Sequence, residues 1–94
     1  MKTILIDWSL IQDQERFYAD VLAQADAPSW HGHNLNAMHD SWVTGGICSS
    51  GPPFHFVFRH FKDITADLKE FAEAICEIAR DSAKETGGKL SYEE

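Results

Sequence analysis

Basic side chains are scarce in this sequence: eight lysines and arginines stand against 15 aspartates and glutamates, a formal net charge of −7. A protein that grips nucleic acid through its phosphates needs the opposite balance, because cationic side chains must replace the condensed counterions. Direct RNA or DNA binding is therefore disfavoured, and an acidic surface suits a basic partner whose complementary potential speeds encounter. Cysteine is scarce as well. Cys48 and Cys76 are too few for a disulfide framework, and both read as thiols. Apolar runs are short, so nothing is expected to span a bilayer. The start, Met1-Lys2-Thr3-Ile4-Leu5-Ile6-Asp7, also lacks a signal peptide's extended apolar region and cleavage site. The expected setting is cytoplasmic.

At 94 residues, 44% hydrophobic and 24% charged, the chain reads as one globular domain, 1–94, with a single core. Thr3 to Asp7 is a β-rich run with almost no polar break, which predicts a central strand buried on both faces. From Gln12 to Ala25, Phe17, Val21, Leu22 and Ala25 recur at helical spacing, with Asp13 and Glu15 near the start where the helix dipole favours negative charge. Thr44 to Pro53, TGGICSSGPP, is a loop by composition. Phe54 to Phe58 is a second strand whose three phenylalanines share one face. Leu68, Phe71, Ala72, Ile75, Ile78 and Ala79 then mark a long helix stopped by Gly87 and Gly88. Lys89 to Glu94, with Leu90 and Tyr92 alternating, predicts a third strand at an edge. Strands separated by helices need crossovers, so the class is α/β with a largely parallel sheet.

The most informative stretch runs from Pro28 to Trp42, PSWHGHNLNAMHDSW. Asn34 is a good N-cap, and Leu35, Met38 and Trp42 follow at i, i+3 and i+7 on what should be the buried face. Asn36 and Asp40 then fall on the opposite side, flanked by His39 and Val43. Ahead of the helix, Trp30, His31, Gly32 and His33 form a loop in which Gly32 permits a turn that a Cβ resists. An aromatic ring and a carboxylate are thus offered side by side, as on a recognition surface. His39 next to Asp40 further suggests pH-dependent binding, through donation across the interface when the imidazole is protonated.

Other chemistries compete for the same residues. His31, His33 and His39 have the spacing to supply three imidazoles to a metal, yet no fourth ligand is evident. The same histidines with Asp40 could serve as acid, base and carboxylate in a nuclease, but no lysine or arginine lies in the segment to stabilise a pentavalent phosphate. No metal, cofactor or catalytic group is expected. Asp40 could equally be an ordinary solvated carboxylate and Trp30 a core residue, whereas Trp42 and Cys76 read as core and Cys48 as an incidental loop thiol.

Pro28, Trp30, Gly32, Asn34, Leu35, Ala37, Met38 and Asp40, in that order, resemble the signature of the barstar family of intracellular ribonuclease inhibitors. A strand near Ile4, a strand ending in Phe58-Arg59-His60-Phe61 and a closing helix before Gly87 fit the same pattern across nearly the whole chain. The resemblance implies a small three-stranded parallel sheet packed by three to four helices. It also implies a monomer that forms a one-to-one complex with a ribonuclease, the helix carboxylate taking the place of an RNA phosphate in the basic active-site groove. Asp40 stands at that position and Trp30 at the family's first loop aromatic, with His31, His33, Asn36, His39 and Thr44 lining the contact. A further family acid falls near the end of the last helix, at Asp81 or alternatively Glu77 or Glu85. The sequence departs from the pattern at Asn36, where the family has a second acid, at His39, where it has tryptophan, and at His31, where it has a second tyrosine. A cognate toxin nuclease other than barnase, with this chain as its immunity protein, is the expectation. A barstar-fold interaction module with a non-nuclease partner and a histidine metal-binding protein are the alternatives.

Overall fold

In a computed structural model, residues 2–27, 31–44 and 53–93 are described. Strand β1 covers Lys2–Asp7, helix α1 Gln14–Gln24, helix α2 Leu35–His39, strand β2 Phe54–Arg59, helix α3 Lys69–Thr86 and strand β3 Lys89–Glu93. Both strand pairings are parallel and the sheet order is β1-β2-β3. The architecture is α/β, as the alternation of strand and helix patterns requires.

The centre of the sheet is β2, not β1. The first strand pairs on one side only, its burial alternates, and Leu5 on its outward face is 37% exposed. An unbroken apolar run can mark a strand buried on both faces, but only where packed elements cover both faces of the sheet, and here one face of β1 is left open. Here the free edge at Leu5 is closed by a side chain instead. The Leu5 N–H donates to Gln24 Oε1 at 2.8 Å, and Gln24 Nε2 donates to the Leu5 carbonyl at 2.7 Å, so the amide satisfies the backbone groups that an edge leaves open.

One face of the sheet carries the core. Phe54, Phe56 and Phe58 are fully buried beside Ile4 and Ile6, and α1 adds Phe17, Tyr18, Val21 and Leu22. Each phenylalanine so buried stabilises the fold by roughly 2 kcal/mol. Helix α1 starts two residues later than its composition suggests, because Asp13 is the N-cap and its carboxylate accepts the Arg16 N–H at 2.8 Å. Helix α3 buries Phe71, Ala72, Ile75, Cys76, Ile78 and Ala79 and ends at Gly87, whose φ of 83° lies where a Cβ is disfavoured. Gly88 is needed for space, since a Cβ there would lie 2.3 Å from the Phe54 carbonyl oxygen. Residues 45–52 of the predicted loop, Cys48 among them, fall outside the described residues, as does Glu94, the last residue of the predicted edge strand.

Candidate recognition site

The site is built on α2. Asn34 caps it, its Oδ1 accepting the Ala37 N–H at 2.8 Å. Gly32 precedes the cap without a positive φ, so its glycine is required by crowding and not by conformation: a Cβ would meet Asn34 Nδ2 at 2.7 Å and Ala37 Cβ at 3.3 Å. After His39 the chain widens into a π turn over Asp40–Thr44. Such a wider turn is uncommon and recurs where a side chain has a task.

Asn36, His39 and Asp40 are all exposed on the outer side of this short helical stretch. No hydrogen bond or ion pair joins the Asp40 carboxylate to any described residue. It also sits just past the last α-turn of α2, where the dipole favours cations. A carboxylate with no partner among the described residues, in a locally unfavourable place, breaks a local rule at one residue, as functional groups do.

The inner side differs from its expectation in one position. Met38 and Trp42 are fully buried, Trp42 against Phe56 with ring centroids 4.6 Å apart, but Leu35 remains 37% exposed at the start of the helix. With only five residues, α2 seats its second turn on the core and leaves the first standing out. Val43, expected on the outer side with Asp40, is half-buried against the core.

The histidines separate into different roles. His31, expected to line the contact, is 5% exposed and belongs to the interior. Its Nδ1 lies 2.8 Å from the Gly32 carbonyl, which can only accept, so Nδ1 carries the proton and Nε2 is left to accept from the Ser41 hydroxyl. His33 is exposed but tied to α1: Nδ1 is 2.9 Å from Glu15 Oε2, and its ring stacks on Tyr18 at 5.4 Å. Burial and the nearby Glu15 charge push the Tyr18 hydroxyl up to about 12, so this platform stays neutral. His39 is exposed beside Asp40 and makes no hydrogen bond or ion pair among the described residues. Among the described residues no three His, Cys, Asp or Glu side chains converge as a metal ion requires.

Of the remaining candidates, Trp30 lies outside the described residues, and Thr44 closes the π turn with its side chain likewise outside them. Asp81 is exposed on α3, next to Ser82, whose hydroxyl donates to the Trp42 carbonyl at 2.5 Å; Glu77 and Glu85 are exposed on the same helix. Ser41 and Ser82 were not foreseen as parts of the site. Their signal was present, since Ser82 continues the Ile75, Ile78, Ala79 stripe and Ser41 stands three residues after Met38, each a polar residue on an inward face.

Chemically, the arrangement offers an exposed carboxylate on a core-seated turn, with an amide and an imidazole on the same outer side. Two coplanar acceptor oxygens suit guanidinium groups, which clamp them through paired N–H donors. Among the described residues, no helix is long and apolar enough to cross a membrane. No curated protein matches the chain. A family model described as Barstar (barnase inhibitor) matches residues 1–92, almost the full length. The order of strands and helices, the capped α2 and the match over 92 residues together place this chain in the barstar family.

Proposed function

We propose that this protein is a cytoplasmic inhibitor that binds a ribonuclease toxin one-to-one and covers its active site, acting as the toxin's immunity protein. Membership of a family described by its inhibition of barnase supports the general role. The observation that carries the particular reading is the exposed Asp40 carboxylate, without a hydrogen-bond or ion-pair partner among the described residues, at the end of a helix seated in the core. In a nuclease groove it takes the place of an RNA phosphate among the arginines and histidine that bind one. His39 and Asn36 contact the rim, and Trp30 supplies a flat aromatic surface. Asn36 and His39, where the family has an acid and a tryptophan, favour a cognate enzyme other than barnase. The net charge of −7 draws a basic nuclease in and opposes binding of RNA to the inhibitor itself. The protein performs no chemistry in this scheme.

The test is inhibition of RNA cleavage, measured against barnase and against any nuclease domain encoded beside this chain. Stoichiometric inhibition by the parent, weakened by over about a hundredfold in a folded Asp40→Ala variant, is the expected result. Inhibition indifferent to Asp40 moves the interface elsewhere on the molecule, and failure to inhibit any ribonuclease removes the proposed role.

A further inference from the structure

Among the described residues, the buried polar side chains of the interior are His31, Ser41 and Ser82. All three stand behind the turn that carries Asp40. Burying a polar group costs free energy unless its hydrogen bonds are made, so three gathered behind one turn, all of them hydrogen-bonded, call for a reason. Their bonds supply one. From the loop side, His31 uses Nδ1–H on its neighbour's carbonyl and Nε2 to accept from Ser41. From the opposite side, α3 contributes the Ser82 hydroxyl to the Trp42 carbonyl. Two consecutive residues, immediately after Asp40, are therefore held by directional bonds from two different parts of the fold.

Apolar packing fixes depth well and rotation poorly, because dispersion contacts are non-directional. Met38 and Trp42 set how far α2 sinks into the core, while hydrogen bonds at Ser41 and Trp42 set its roll about its own axis. That roll decides where an outward carboxylate one residue earlier points. A bidentate ion pair tolerates errors of only about 0.5 Å, so the roll matters for binding more than for folding. We infer that His31, Ser41 and Ser82 form a buried polar brace whose function is to hold the Asp40 turn in its binding orientation. They are positioning residues, acting through Asp40, and the inference rests on the proposed role of that carboxylate.

Two readouts test it. In the free protein, Ser41→Ala and Ser82→Ala should lower backbone amide order parameters over residues 39–43 from about 0.85 toward about 0.6, with residues 17–22 and 54–58 unchanged. Ser41→Cys, which keeps the side-chain connectivity with a somewhat larger atom but weakens the bond, provides a second variant should the alanine forms fail to fold. With a ribonuclease that the parent inhibits, each serine variant should lose about threefold to tenfold in affinity, and this loss should vanish in the Asp40→Ala background. A lowered melting temperature with unchanged order parameters makes these residues fold stabilisers only and overturns the inference. So does a loss of affinity that persists at full size without Asp40. An Asp40→Ala variant that inhibits like the parent defeats instead the underlying role of the carboxylate, and is seen separately.

Discussion

Two aspartates at turns of this fold, Asp7 and Asp40, have opposite fates. Asp7 closes β1, and its Oδ1 accepts from the Ser9 N–H at 3.1 Å, the Ser9 hydroxyl at 2.6 Å and His60 Nδ1 at 3.0 Å. His60 in turn holds a left-handed backbone, φ 57°, and its N–H donates to the Glu93 carbonyl at 2.9 Å. Asp7 thus helps tie together the carboxyl ends of all three strands. Asp40 has none of these partners. The lesson is that acidity and turn position do not separate a structural carboxylate from a recognition carboxylate; the hydrogen bonds already spent on it do.

The largest effect expected is on Asp40. Its replacement by alanine should cost inhibition over about a hundredfold while moving stability by less than about 0.5 kcal/mol, since no partner among the described residues is left unsatisfied. Asp7→Ala should do the reverse, lowering stability by about 1 to 2 kcal/mol in chemical denaturation and leaving affinity unchanged. The comparison would break if Asp7→Ala impaired inhibition in a protein that remained fully folded.

Acid titration sharpens the same contrast. The Ser9 hydroxyl and then His60 hold the Asp7 carboxyl below its ordinary value of 3.8. A depressed folded-state pKa gives stabilisation that is complete above the unfolded value and is lost as pH falls through the folded one. Denaturation curves of the parent should therefore weaken below about pH 4 relative to those of Asp7→Asn, whose stability lacks this particular dependence.

Gly32→Ala should cost about 1 kcal/mol of stability, because the new Cβ displaces the Asn34 amide that caps α2. It should also weaken inhibition, as the cap supports the helix that bears Asp40. The smallest effect belongs to Glu15→Gln. The Glu15–His33 pair is largely solvent-exposed, with side chains 76% and 43% accessible, so its loss should change stability by under about 0.5 kcal/mol.

Much of this was legible in the residues themselves. The capped α2, the inward phenylalanines of β2, the stripe of α3 and its glycine stop each rest on local periodicity or backbone chemistry, and each recurs in the structure. The position of β1 was not legible, because its apolar run encodes hydrophobicity and not the number of neighbouring strands. Leu35 misled for a related reason, as helical spacing shows which residues share a face but not how much of a short helix the core can reach. His31 was the hardest to read. A histidine in a polar loop carries no mark of burial, and only contact with Ser41, ten residues later, reveals it.

The sequence by itself determined the α/β class, the elements and the outward placement of Asn36, His39 and Asp40, since these follow from spacing and propensity along neighbouring residues. Tertiary structure alone decided that β2 lies centrally, that Gln24 closes the edge of β1, that Asp7 is spent while Asp40 has no partner among the described residues, and that His31, Ser41 and Ser82 meet behind the site. Those outcomes depend on pairings between residues distant along the chain. Such pairings are fixed when the core closes, by which surfaces are left facing one another.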